Sequence, residues 1–175
     1  MKGEVGYKNI DVTVALKFIS RLIHHQNFRT TKKTIAGINS MKRQLITLRT
    51  SQREQLLDIT SQIKQVTKNM STQNGILSVY AQGATAAIMI QENWDSSVPH
   101  DVVHFLQKLI PRGVWLHDKQ DGNGDAHIKA GLVGPEETIP IIEGELGLST
   151  WQGIFFCEFD GPRTERKIIC TAVGE

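Results

Sequence analysis

The end of the chain, from residue 137 onward, consists of strand-like segments joined by short turns. We predict strands there at residues 137–142, 145–148, 151–159 and 164–173. The turns at Glu143-Gly144 and Asp160-Gly161-Pro162 are too short for a crossover helix, so neighbouring segments must pair antiparallel. Earlier strands are predicted at residues 44–50, 76–82, 85–91 and 114–117. This pattern indicates an α+β fold with a largely antiparallel β-sheet and argues against a doubly wound α/β fold.

Apolar residues at helical spacing predict a few helices between these strands. They are a helix from Asp58 or Thr60 to about Ser71, one that begins at residues 96–99 and stops at Pro111, and a short one at residues 126–133. In the second helix we expect six apolar residues to face the core: Val102, Val103, Phe105, Leu106, Leu109 and Ile110.

Positive charge is concentrated in residues 1–40, which carry seven Lys or Arg and two Asp or Glu, whereas the remainder carries a net −3. One amphipathic helix is predicted in this region, at residues 12–23. We interpret residues 1–40 as a basic extension outside the fold, either disordered or preceding a true start at Met41. Residues 41–175 then form one domain. Because that domain is not basic, a nucleic-acid partner is not expected.

The composition also limits where the chain can act. No apolar run in the sequence is long enough to span a bilayer, so a membrane association is not expected. Cys157 and Cys170 lie in apolar, strand-like runs. Two buried thiols are typical of a reducing compartment and do not indicate a disulfide framework, so we expect a cytoplasmic protein.

Residues 117–129, HDKQDGNGDAHIK, are the part of the sequence richest in groups that titrate, bind a metal or hold a phosphate. Gly122 and Gly124 allow a tight turn with inward N–H groups, at the start of a predicted helix where anions are favoured. Lys129, one turn further on, adds a positive charge. These features describe a phosphate cradle, to which the side chain of Asn123 also belongs.

The aspartates of this loop would repel a bare phosphate unless a divalent metal lay between them. Asp121 and Asp125 are therefore candidate ligands of Mg²⁺ or Zn²⁺. His117 and His127 are candidate metal ligands or general acid/base groups. The structural alternative is an ordinary turn in which Asp125 only caps the helix. No organic cofactor is predicted, because the sequence has no Walker loop and no GxGxxG motif.

Three further places carry groups of interest. Glu92 ends an apolar strand, where a carboxylate can face a pocket or simply be solvated. Arg163 and Arg166 follow the last turn and can clamp a phosphate or point into water. Trp151 and Gln152 open a strand, and from its residue type alone Trp151 is expected in the core.

From about Met41 to Glu175 the chain resembles the YjbQ-like family, the secondary thiamine-phosphate synthase proteins. The motifs that carry the resemblance are DIT at residues 58–60, QEN at 91–93, DGNGDAHIKAGLVG at 121–134, STWQGIFFCEFDGPR at 149–163 and the closing VGE. The resemblance implies a compact α+β domain that assembles as a homotrimer, with sites near the subunit interfaces. It implies a secondary transferase activity that joins a pyrimidine diphosphate to a thiazole phosphate and releases pyrophosphate.

The resemblance and the residues together define the predicted site. It comprises His117, His127 and Glu92 as catalytic groups, Gly122, Asn123, Gly124, Lys129, Trp151, Gln152 and Arg163 for substrate or phosphate, and Asp121 and Asp125 for a metal. Many members carry a His-Thr pair where this chain has Gly83 and Ala84, and most have Gly at the position of Ser149. The first departure favours the alternative hypothesis, a non-enzymatic trimer that binds a metal or a small phosphorylated metabolite.

Overall fold

The computed structural model describes residues 40–175, so the predictions for residues 1–39, including the helix at 12–23, lie outside the described residues. The strands are β1 (Ser40–Thr50), β2 (Gln55–Asp58), β3 (Gly75–Gln82), β4 (Ala86–Glu92), β5 (Glu136–Ile142), β6 (Glu145–Leu146), β7 (Gln152–Glu158) and β8 (Arg163–Gly174). The helices are α1 (Thr60–Met70), α2 (Ser97–Leu109) and α3 (Gly124–Val133), with a 3-10 helix at Leu116–Lys119. Within residues 40–175 no helix is both long and apolar enough to cross a membrane.

The strands form two antiparallel sheets, which confirms the predicted α+β class. One sheet has five strands in the order β1-β8-β3-β5-β6, and the other has three in the order β2-β7-β4. The strands joined by the Asp160-Gly161-Pro162 turn, β7 and β8, lie in different sheets, so the prediction that they pair antiparallel was wrong. Instead the chain changes sheets at the turn around Asp160, so that residues from both sheets meet there.

The core consists of two apolar clusters that share strand β7. The larger cluster joins the inner faces of both sheets to α1 and includes Ile63, Leu77, Ile168 and, from β7, Ile154 and Phe156. The smaller cluster packs α2 and α3 against the other face of the three-stranded sheet: Ala87, Leu106, Ala126, Ala130, Cys157 and Phe159. Each fully buried aliphatic or aromatic side chain contributes about 1.5–3 kcal/mol. Strand β7 is therefore buried on both faces.

The outer face of the five-stranded sheet carries apolar side chains in cross-strand rows. Leu45 pairs with Ile169, which pairs with Tyr80, and Met41 is related in the same way to Val173 and Ile76. The side chains of Met41, Leu45, Ile76 and Tyr80 are all exposed. This face is unusually apolar for a surface in contact with water.

Three predictions about elements were wrong. The strand predicted at residues 114–117 is absent; Val114 and Leu116 are exposed, and a 3-10 turn follows because Asp118 accepts the N–H of Trp115. Strand β2 was not predicted, because four residues are too few to show an alternating pattern. In α2, Phe105 and Leu109 are 60% and 53% exposed, so the helix buries a narrower face than expected.

Candidate functional site

The loop between the 3-10 helix and α3 is held by its own aspartate. Asp118 accepts the backbone N–H of Trp115 and that of Gly124, each at 2.8 Å. The first of these bonds lowers the pKa of Asp118 below its ordinary value, and the second acts in the same direction. Gly122 has a φ of +67°, and a Cβ on Gly124 would lie 2.7 Å from the Cβ of Trp115. Both glycines are thus required by the turn, and the Gly124 N–H of the predicted phosphate cradle is already bound by a carboxylate.

The two histidines of the loop are in contact. The rings of His117 and His127 lie edge to face, with centroids 4.8 Å apart and an interplanar angle of 89°. The Nε2 of His117 is 3.7 Å from Asp121 Oδ2, and it is buried without a hydrogen-bond partner among residues 40–175. Asp121, His117 and His127, three of the candidates from the sequence, therefore lie in one row.

Asp125 and Lys129 lie in a buried ion network. Lys129 Nζ is 2.9 Å from Asp125 Oδ2 and 3.0 Å from Glu54 Oε1, and Arg53 Nη2 is 3.0 Å from Asp125 Oδ1. Burial acts to raise the pKa of Asp125, but the hydrogen bonds from Arg53 and Lys129 outweigh it and lower that pKa. Since Lys129 is only 1% exposed and both Asp125 oxygens are occupied, this geometry does not offer Lys129 to a phosphate or Asp125 to a metal.

Asn123 and Arg163, which are forty residues apart in sequence, meet at Asp160. Asn123 Nδ2 donates to Asp160 Oδ2 at 3.0 Å, and Arg163 binds the same carboxylate oxygen and the Asp160 carbonyl. Arg163 is about half exposed, so its guanidinium can also reach a ligand at this edge. The amide oxygen of Asn123 is buried without a partner among the described residues.

Sequence reasoning missed several charged residues that hold this edge together. Glu158, which is fully buried, accepts hydrogen bonds from Arg166, from Thr50 at 2.9 Å and from the Asp160 N–H at 2.9 Å. Arg53 and Glu54 were also missed. The signal was present for Glu158: a carboxylate that alternates with Ile154 and Phe156 in an apolar strand requires a buried cation.

Glu92, Trp151 and Gln152 lie at a different edge. Glu92 is paired in register with Gln152, whereas Ala86, at the other end of β4, is paired with Glu158. These two ends are about 20 Å apart at about 3.3 Å per residue. Trp151 is half exposed and packs edge to face on Trp94, with centroids 5.4 Å apart, so the expectation that it lies in the core was wrong. The predicted site residues therefore lie in two groups, near opposite ends of β4.

A groove of about 350 Å³ extends from His127 to the start of β4. It is lined by Tyr80, Gly83, Ala84, Ala86, His127, Ala130, Gly131 and Pro135. Gly83 and Ala84, the positions at which many members carry the His-Thr pair, thus lie in the same groove as His127.

The described residues do not fit a divalent metal. No group of three or more His, Cys, Asp or Glu side chains within residues 40–175 converges on one point. His117 and His127 pack ring edge on ring face instead of directing two nitrogens at a shared position, and Asp125 is paired with cations. The proposed reaction therefore uses only the residues of the chain.

Two antiparallel sheets and three helices define a small α+β domain with a groove beside His127. The family model "UPF0047 protein YjbQ-like" matches residues 44–175. The chain belongs to this family, which confirms the resemblance inferred from its motifs.

Relatives and solved structures agree with this assignment. A UPF0047 protein of Methanocaldococcus jannaschii is 45% identical over 128 residues, covering 73% of this chain and 91% of that protein. YugU of Bacillus subtilis, also a UPF0047 protein, is 36% identical over 67% of this chain and 89% of its own. The crystal structure of a YbjQ-like protein of Sulfolobus solfataricus superposes with a TM-score of 0.75 at 33% identity, covering 78% of this chain and 99% of that one.

Proposed function

We propose that the chain is a transferase with thiamine-phosphate synthase-type activity, which joins a pyrimidine diphosphate to a thiazole phosphate. The observation that carries this proposal is the row of Asp121, His117 and His127 beside a groove large enough for a small metabolite. The type of activity is inferred from the family resemblance. The row of Asp121, His117 and His127 supplies acid/base groups beside a groove in which such a phosphorylated substrate can bind.

The reaction breaks the bond between the pyrimidine methylene carbon and the diphosphate oxygen, and pyrophosphate leaves with the electron pair. The thiazole nitrogen forms the new bond to that carbon, so no net proton transfer is required. A protonated His127 that donates a hydrogen bond to the departing oxygen stabilises the developing charge. His117 and Asp121 are positioning residues, since Asp121 Oδ2 lies 3.7 Å from His117 Nε2 and the His117 ring packs on that of His127.

We propose that Arg163 is the cation that binds the other phosphorylated group, the thiazole phosphate. It is about half exposed and anchored on Asp160, which also holds Asn123 at the start of α3. Lys129 is not used in this role, because its ammonium is enclosed by Asp125 and Glu54.

We also propose that the protein acts as a homotrimer in the cytoplasm. The apolar outer face of the five-stranded sheet supports self-association, since Leu45, Ile76 and Tyr80 are otherwise exposed to water. A neighbouring copy can also bring its Glu92 edge to the His127 edge, which one chain separates by about 20 Å. The buried thiols Cys157 and Cys170 support a reducing location.

The test is a turnover assay on the full chain with the pyrimidine diphosphate and the thiazole phosphate, read as thiamine phosphate. We expect His127→Gln to lower turnover by about 10²–10⁴-fold. The matched control is His104→Gln, which makes the same change at an exposed histidine on α2 and should leave turnover unchanged. Equal loss in both variants, or full activity in His127→Gln, contradicts the proposed role of His127.

A non-enzymatic protein that binds a small phosphorylated metabolite is the second candidate. Gly83 and Ala84 favour it, because they place no titratable group in the groove where many members have His-Thr. A folded protein that binds the metabolite but yields no product would establish this alternative. Gain of turnover in Gly83→His would then show that the missing side chain is the reason.

A further inference from the structure

The guanidinium of Arg166 is fixed in place but only partly used. Its Nε donates to Glu158 Oε2 at 2.7 Å, and its Nη2 donates to Thr85 Oγ1 at 3.0 Å and to the other Glu158 oxygen. The side chain is only 11% exposed. Its Nη1 has no hydrogen-bond partner within the part of the chain that the structure describes, so two N–H donors remain available on a rigidly held group.

These donors lie next to Gly83. A Cβ built on Gly83 would lie 3.1 Å from Arg166 Nη1, and the backbone of Gly83 is in a conformation that other residues also adopt. Glycine here therefore leaves space and is not needed for the turn. The absence of a side chain leaves Nη1 open on the side of Gly83, which lines the groove, so a ligand oxygen in the groove can accept from Nη1.

The carboxylate that pairs with Arg166 does not compete with such a ligand. Both oxygens of Glu158 are saturated by Arg166, Thr50 and the Asp160 N–H. The carboxylate is fully buried behind these donors, which hold the guanidinium without reaching the groove. Arginine is also the cation best suited to bind a planar or tetrahedral oxyanion.

The residues that line the groove suit a small ligand with one anionic end and an apolar body. His127 is a second polar group in it, and its ring is held by His117. The other walls are small and apolar, with Tyr80 as the one large side chain: Tyr80, Ala84, Ala86, Ala130, Gly131 and Pro135. At about 350 Å³ the space suits a small metabolite with one anionic end.

We propose that this groove is an oxyanion site, in which Arg166 Nη1 and the His127 imidazole bind the phosphate or carboxylate group of a small metabolite while its compact apolar body lies against Tyr80. The site deepens the proposed function by assigning its anion subsite, and it rests on that function only for the identity of the substrate. Binding is measurable without turnover, so the two proposals can fail separately.

The test is an NMR titration of the labelled full chain with inorganic phosphate and, in a second arm, with acetate. We expect saturable shifts of the Gly83 amide, the Arg166 Nε–H and the His127 ring. Gly83→Ala should weaken binding by about tenfold or more, because its methyl group lies 3.1 Å from Nη1, obstructs the approach of a ligand oxygen and removes a charge-assisted hydrogen bond. The arm with the lower Kd identifies phosphate or carboxylate as the natural group.

The control is His104→Gln, at an exposed position on α2 outside the groove, and it should leave phosphate affinity within about threefold. If Gly83→Ala does not fold, His127→Gln against His104→Gln carries the same test. Absence of saturable binding of either anion, or equal affinity in Gly83→Ala and the parent, overturns the inference. If Gly83→Ala weakens anion binding and the protein has no turnover, the anion site is supported and the transferase proposal is rejected. If Gly83→Ala has normal turnover, the transferase proposal is supported and the anion site is rejected.

Discussion

Lys129 shows how much one residue of the candidate site contributes to the fold. Its ammonium is enclosed by Asp125 and Glu54, so replacing it leaves these two buried carboxylates with Arg53 as their remaining cation. We expect Lys129→Met to lower the free energy of unfolding by about 3–5 kcal/mol, measured by denaturant titration.

The control for this change is Lys68→Met. Lys68 and Glu145 form an exposed pair at 3.6 Å, and its removal should cost about 1 kcal/mol or less. If the two substitutions lower the free energy of unfolding equally, Lys129 is not part of a buried network. Lys129 is then again a candidate phosphate ligand.

Asp118 makes the loop sensitive to acid. Its pKa is lowered from the ordinary 3.8, chiefly by the N–H of Trp115. A lowered pKa in the folded state means that the stabilisation is fully present above the unfolded pKa and is lost as the pH falls through the folded pKa. The stability that Asp118 contributes should therefore disappear below about pH 4.

Asp118→Asn tests this expectation, because the amide cannot titrate. The variant should be less stable than the parent at pH 7, and the difference should shrink as the pH falls below the ordinary Asp value of 3.8, as followed by thermal unfolding at each pH. A difference that stays constant with pH would show that the Asp118 charge does not stabilise the loop.

The candidate site was only partly predictable at this scale. The density of polar groups in residues 117–129 singled out His117, His127 and Asp121, which lie close together in the structure, and their functional roles stay predictions. The roles of Asp125 and Lys129 could not be predicted, because their partners Arg53 and Glu54 are brought to them by a loop more than seventy residues earlier. Local sequence shows which groups are present, but the partner of a charge depends on tertiary packing.

Helix α2 is the element in which the structure differs most usefully from the sequence pattern. Leu106 is buried against the three-stranded sheet, whereas the adjacent Phe105 is 60% exposed. We expect Leu106→Ala to lower the free energy of unfolding by about 2–5 kcal/mol and Phe105→Ala by less than about 1 kcal/mol, in the same denaturant assay. A larger cost for Phe105 would restore the broad buried face predicted from sequence.

Long elements with a clear period were predictable, and short ones were not. The strands with alternating burial, such as β3 and β8, and helices α1 and α3 were located to within a few residues. The segment at residues 114–117 has the composition of a strand but no partner strand. Its conformation is set by one hydrogen bond to Asp118, which periodicity cannot reveal.

At the scale of the whole molecule, the proposed self-association uses the outer face of the five-stranded sheet. We expect the full chain to sediment as a trimer and Leu45→Lys to weaken association at least about a hundredfold, because a lysine in an apolar interface is buried without a partner. Leu132→Lys is the control, since it makes the same change at an exposed leucine on α3. A monomeric parent, or dissociation only in Leu132→Lys, would reject this interface.

Strand β7 has a consequence for how the molecule opens. It is hydrogen-bonded to β2 on one side and β4 on the other, and its side chains belong to both apolar clusters. Neither cluster can loosen without exposing it. Its amide protons should therefore exchange with deuterated solvent only through complete unfolding, more slowly than those of the two-residue edge strand β6. The exchange rate of β7 thus reports the stability of the entire domain, and that of β6 reports only local fraying.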